Sequence, residues 1–178
     1  MKKIIGNSLI LFLLSFGSYA QDLQLVSAKK SIARFEISNF GVNTVTGSLT
    51  GFSGVVRLNP QNLQNAKIEV CVEVSTISTG IDKRDAHLQQ EEWFNANAFP
   101  RLCFQSYEIS RTTNGYKASG TITLKGKTQK ISVILQLENN LLKGSFKLNR
   151  LDFDIGNDTS TFTVGNEVVI NVQCFLNN

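Results

Sequence analysis

Lys67-Ile68-Glu69-Val70-Cys71-Val72-Glu73-Val74 alternates apolar and non-apolar-facing positions over a whole strand length, with Ile68, Val70, Val72 and Val74 on one side and Glu69, Cys71 and Glu73 on the other. Tyr116–Lys125 repeats the pattern. There Tyr116, Ala118, Ile122 and Leu124 alternate with Lys117, Ser119, Thr121 and Thr123. Successive strand residues point to opposite faces, so each segment makes one wetted and one apolar surface. The same alternation runs through nearly all of the chain after residue 30. A small domain buries many such faces by stacking two sheets or by closing one sheet into a barrel, and alternation alone admits both. The choice bears on function, because a roomy closed barrel is a container for an apolar ligand.

Working outward, the alternation predicts eight strands, at about 31–38, 44–58, 67–77, 101–111, 115–125, 128–138, 141–149 and 166–176. The breaks carry turn chemistry. Asn114-Gly115 is a hairpin signal, and Gly126 and Asn139-Asn140 mark the next two turns. Gly51 and Gly54 interrupt the long second strand, where bulges would bend the wall. Connections this short make consecutive strands antiparallel neighbours in an up-and-down meander. One stretch departs from the pattern. Asp82–Ala98 is rich in Asp, Gln, Glu and Ala and lacks β-branched residues, which predicts a short helical insertion near 82–98, with Leu88, Trp93 and Phe94 on one helical face. Phe99-Pro100 ends it. The insertion is expected to pack against an opening or wall of the β structure.

The chain ends set the compartment. Lys2-Lys3, the apolar run Leu9–Phe16 and the small residues Ser18 and Ala20 read as a secretory signal peptide cleaved before Gln21. The apolar run is shorter than the roughly 20 residues a membrane span needs. Removal of residues 1–20 from the 178-residue chain leaves a single domain, 21–178, exported to the periplasm or secreted. Lys2 and Lys3 are the only charges lost, which lowers 18 basic residues to 16 against 14 acidic ones. A balance so near neutral points to no particular partner charge. Without a basic run or basic–aromatic interleaving, nucleic-acid binding has no support. No second segment approaches a membrane span, and oligomerisation is left open.

Three cysteines, Cys71, Cys103 and Cys174, would enter an oxidising compartment, and an odd count leaves at least one unpaired or intermolecular. Cys71 and Cys103 share polar-face parity, which makes them the candidate disulfide, while Cys174 is in phase with Ile170 and Val172. Three buried or unpaired thiols are the alternative, since parity does not set distance. The cysteines form neither C-x-x-C nor a zinc spacing. His87 is the only histidine, which excludes a histidine-based metal cluster. With Arg84 and Asp85 it invites an acid–base role, but no nucleophile or second base is recognisably paired with it, and the structural reading is that Arg84 and Asp85 cap a turn. Arg150 and Asp152 read as fold residues at a strand exit, Arg150 also being placed to touch a polar ligand head. Asp154–Asp158 lacks the glycine and glutamate of a calcium loop and reads as solvated. No catalytic residue, metal site or cofactor is expected.

The ordered motifs resemble the YceI family over essentially the whole chain from Ser31. They run Phe35-Glu36-Ile37-Ser38, Val45-Thr46-Gly47-Ser48-Leu49, Val74–Gly80, Arg84-Asp85-Ala86-His87-Leu88, Phe99–Ser106, Gly120–Thr128 and Asn149–Ile155. Asp154, and Lys127 within Gly126-Lys127-Thr128, depart from the usual pattern. The resemblance implies an exported, all-β, eight-stranded antiparallel, lipocalin-like barrel of a family associated with polyisoprenoid binding. An eight-stranded barrel is filled by its own side chains or holds one small ligand, and the resemblance favours the ligand. Phe35, Ile37, Val70, Val72, Phe104 and Ile122 are expected to face inward. So are Leu124, Val133, Leu135, Phe146, Leu148, Ile170 and Val172. The cargo expected is an isoprenoid-like lipid held for storage or transport. Rival readings are another apolar cargo such as a fatty acid or fatty amide, an enzyme acting on such a lipid through His87, and a solid barrel whose partners bind outside.

Overall fold

The computed structural model describes residues 23–177, so the expected signal peptide lies outside the described residues. Its ten strand segments are all antiparallel. The first four are β1 (Gln24–Val26), β2 (Ile32–Asn39), β3 (Asn43–Leu49) and β4 (Ser53–Asn59). After them come β5 (Asn62–Glu73), β6 (Arg101–Thr112), β7 (Gly115–Leu124) and β8 (Lys127–Glu138), and last β9 (Leu141–Asn149) and β10 (Val164–Asn177).

Ten segments make eight wall strands, because β1–β2 and β3–β4 are each one strand with a break. β2 pairs with β3 and β1 with β4, in nearly continuous register. β10 pairs with both β1 and β2, which closes the ring of consecutive neighbours into an eight-stranded up-and-down barrel. Closure leaves few backbone groups on open edges, the general hazard of a sheet.

Both breaks are held by side chains that bond to residues distant in sequence. The single strand expected at 44–58 is interrupted at Thr50–Phe52, where Gly51 takes φ +68°. The Thr76 hydroxyl holds the corner, accepting from Thr50 N–H at 2.9 Å. The break after β1 is organised by buried Ser31, whose Oγ accepts from Phe175 N–H at 2.9 Å. β1 itself escaped the sequence reading because three residues are too few to show alternation. The third strand, expected at 67–77, begins earlier and stops at Glu73, where a 3₁₀ turn over Val74–Thr76 turns the chain out of the wall. Beyond that point Ser48 and Ser78 exchange two backbone hydrogen bonds, a single bridge where a longer ladder would seal β3 to β5.

Strand directions separate the two barrel ends. The short turns 59–62, 112–115 and 138–141 share one end with the start of β1 and the finish of β10. Val26, Leu58, Ile109, Tyr116 and Leu176 are buried there and fill it. The other end carries the hairpin 39–43, the long connection 74–100, the turn 124–127 and the loop 150–163. Its connection contains α1 (Asp82–Leu88), followed by turns through residue 98. Trp93, Phe153 and Ile155 pack with Ile122 and Leu124 beneath these loops and block part of that end.

Candidate functional site: an apolar cavity inside the barrel

Inward side chains from neighbouring strands meet in rows. Val70 lies opposite Phe104, and Phe104 opposite Ile122. Phe146 lies opposite Ile170, and Ile170 opposite Phe35. A third row is thinner, because Val172 faces Gly144 on one side and Ala33 on the other. The outer edge of the Phe35 ring sits against Gly47 and that of Phe104 against Gly120, where a Cβ would come within 2.3 and 2.6 Å of the rings, so the two glycines make room for them.

The result is a cavity of about 370 Å³, within the usual range for a small-molecule site. All thirteen residues expected to face inward line it, from Phe35 and Ile37 on β2 to Ile170 and Val172 on β10. Ile122, Leu124, Val72, Val133 and Leu135 are buried, while Phe35, Val70, Phe104, Phe146 and Val172 are partly exposed and line the cavity. That partial exposure of inward aromatic and branched residues is the signature of a hollow interior. Ala33, Ile68, Leu102, Leu142 and Cys174 also line it. Ile68, Leu102 and Cys174 were detectable from phase, since each lies two residues from an expected or like-facing neighbour.

The mouth is where polar residues join the lining. Ser38, Asn39, Thr79, Arg84 and His87 do so, and 58% of the His87 side chain is exposed, so the cavity reaches solvent beside α1. Leu88, Trp93 and Phe94 also reach the lining. They do not share a helical face as expected, because the helix ends at Leu88 and the following turns carry the two aromatic residues inward. Among the described residues that line the cavity there is no carboxylate. An apolar interior with polar groups only at its opening matches an amphiphile.

The charged residues resolve into structural roles. Asp85 accepts from the Thr79 N–H at 2.8 Å and from the Thr79 hydroxyl, and Arg84 Nε donates to that hydroxyl at 2.8 Å, so the pair ties down the turn before α1. His87 Nε2 lies 2.7 Å from Glu92 Oε1, and its ring meets Trp93 edge-on. Glu92's own backbone N–H, and then His87, hold the Glu92 carboxyl below the usual carboxylate range.

Arg150 is only 2% exposed. Its Nε donates to Gly165 O at 2.9 Å. Nη1 donates to Ile155 O and Gly156 O at 2.7 and 2.6 Å, and Nη2 to Thr159 O and Val164 O at 2.8 and 2.9 Å. A guanidinium has five N–H donors, and all are engaged by backbone carbonyls. Arg150, which also lines the cavity, commits its N–H donors to a clamp that folds the 150–165 loop over the mouth end.

Cys71 and Cys103, register partners on β5 and β6, form a disulfide. Cys174 is a free, buried thiol whose pKa burial pushes up to about 12. Among the described residues no group of His, Cys, Asp and Glu is placed to hold a metal, and no helix is long and apolar enough to cross a membrane.

Comparison with known proteins agrees with this geometry. A UPF0312 protein of Yersinia pestis is 25% identical over 97% of this chain and 96% of its own. BcnA of Burkholderia cenocepacia superposes with a TM-score of 0.73 at 22% identity, over 84% of this chain and 98% of its own. A polyisoprenoid binding domain from Saccharophagus degradans, implicated in plant cell wall breakdown, superposes at 0.65 with 15% identity, over 86% of this chain and 97% of its own. At such identities the superpositions establish the barrel alone. The model of the YceI-like domain matches residues 24–175, from the first strand to the closing one, and the chain belongs to that family.

Proposed function

We propose that the protein is an exported carrier that encloses an isoprenoid-like lipid, tail in the barrel and polar head at the mouth, for storage or transport. The observation that carries the reading is the cavity, hollow, walled by apolar side chains and polar only at its opening. The polyisoprenoid binding domain that shares the fold supports the choice of cargo. Export to the periplasm is supported by the signal-peptide pattern of residues 1–20 and by the Cys71–Cys103 disulfide, a bond that persists in oxidising compartments.

Enclosure supplies affinity through removal of the tail from water, about 0.8 kcal/mol per CH₂. Two to three prenyl units give about 8–12 kcal/mol gross, from which ordering of chain and loss of free motion subtract. The gross figure alone corresponds to about micromolar to nanomolar dissociation constants, and the measured affinity falls below it by those costs. Trp93, the sole tryptophan, lines the cavity and reports occupancy. Titration with farnesol should give a saturable change in its emission. A folded protein with no saturable response overturns the carrier. His87→Gln separates carrier from enzyme: bound lipid should be recovered chemically unchanged from both proteins. Conversion that disappears with His87, by the roughly 10²–10⁴-fold typical of a lost acid–base group, overturns the carrier in favour of an enzyme.

A further inference from the structure

We propose that the mouth docks on a lipid bilayer through an uncharged apolar knob formed by the hairpin 39–43 and the loop 159–163. The inference rests on the lipid-carrier reading, since it supplies the surface from which such a cargo would be taken.

Three observations meet at this place. Phe40, Val42 and Phe162 are 51%, 87% and 68% exposed, in a molecule whose other apolar side chains mostly face the lumen. They belong to one unit, for Phe40 N–H donates to Thr163 O at 3.0 Å, Asn39 Nδ2 donates to the same oxygen at 2.8 Å, and the two phenyl rings meet edge-on at 6.4 Å. Phe40 holds φ +52°, a left-handed conformation uncommon for a bulky side chain. Gly41 beside it takes φ +68°, so the tight turn between β2 and β3 imposes the conformation and holds the Phe40 ring outward.

The knob is continuous with the cavity wall. Ser38, Asn39 and Val45 flank the hairpin and line the cavity, as does Val164 at the end of the loop. Across the mouth, Ile81 is 52% exposed between Thr79 and Arg84, which also line it. Residues 37–45 and 159–166 contain no charged side chain. Asn, Ser and Thr surround the apolar tips, a composition that enters a headgroup region without burying a charge. The rest of this end carries Glu73, Asp82, Asp85, Glu91, Glu92, Asp152, Asp154 and Asp158 against Lys83, Arg84, Arg101, Lys125, Lys127 and the buried Arg150, so attraction to anionic lipid does not drive the contact. Docking is apolar, and a tail crosses from bilayer to barrel without traversing water.

The test is flotation of the purified protein with phosphatidylcholine vesicles, with and without phosphatidylglycerol. Both should carry the protein about equally. Phe40→Asn/Val42→Ser/Phe162→Ser should weaken flotation at least about tenfold, with Asn chosen because it tolerates the left-handed conformation. Val42→Ser alone, at a side chain too exposed to affect folding, should weaken it measurably. Ile134→Ser, on the barrel wall and as exposed as Phe40, should leave it unchanged. Parent protein that does not float, or a triple variant that floats as well as the parent, overturns the proposal. Equal loss with Ile134→Ser shows general adhesiveness and also overturns it. A concentration-dependent dimer abolished by the triple variant assigns the knob to a second copy instead. Farnesol titration read at Trp93 is run in parallel: docking without saturable capture sinks the carrier reading, and capture without docking sinks this one.

Discussion

Val172→Phe should reduce lipid affinity without unfolding the barrel. Val172 faces Gly144 and Ala33 across the two neighbouring strands, and the Leu135 and Val133 side chains already cover Gly144, so the room for a phenyl ring at 172 lies toward the lumen, which Val172 lines. Displacing about three ligand carbons at roughly 0.8 kcal/mol each removes about 2–2.5 kcal/mol, a roughly thirty- to seventyfold loss. Overpacking of a dense core costs about 1–3 kcal/mol, but here the added ring fills open volume. The melting temperature of the unliganded variant should therefore stay within a few degrees of the parent or rise. The assay is farnesol titration by Trp93 emission, alongside thermal unfolding followed by circular dichroism. A variant that melts like the parent and binds with unchanged affinity refutes the placement of cargo in the lumen.

Arg150→Met should destabilise the fold by at least about 3 kcal/mol, because buried carbonyls of the 150–165 loop lose their donors. Arg150→Lys should restore only part of it, and urea unfolding measures both. Replacing Cys71 and Cys103 together by Ser opens a covalent loop of sequence separation 32 and should cost about 3–4 kcal/mol by chain-entropy reasoning, with lipid affinity nearly unchanged in the folded protein. Cys174 should resist thiol reagents at pH 8 in the native state and react once unfolded, since a thiol held near pKa 12 offers almost no thiolate. Thiol counting should find one reactive group per chain, and only under denaturant.

The inward faces of β2 and of β5 to β10 were legible because a period of two needs no knowledge of partners, whereas Val45, Leu49 and Phe52 of the broken β3–β4 strand, which also line the cavity, were not foreseen. Val70, Val133, Phe146 and Val172 are placed by phase alone, and so is the shared outward parity of Cys71 and Cys103. Legibility fell where geometry depends on a distant contact. Gly51 announced a bend but not that it would divide one strand into β3 and β4, a result of its pairing through Thr50 with Thr76, twenty-six residues away. The length of β1 gave it no periodicity to read. At the mouth, Ser38, Asn39 and Thr79 carry no pattern that marks a lining residue. Their role comes from the failure of β3 and β5 to zip together beyond Ser48 and Ser78. Arg150 looked like a rim residue because sequence shows a charge and not the five carbonyls that surround it.

The most direct test is native mass spectrometry of the protein purified from its own cells, with extraction and identification of whatever it carries. One polyisoprenoid-like molecule per barrel, lost or sharply reduced in Val172→Phe, is the result predicted. A barrel that emerges without lipid and takes up none when farnesol or longer prenols are supplied would contradict the account at its centre.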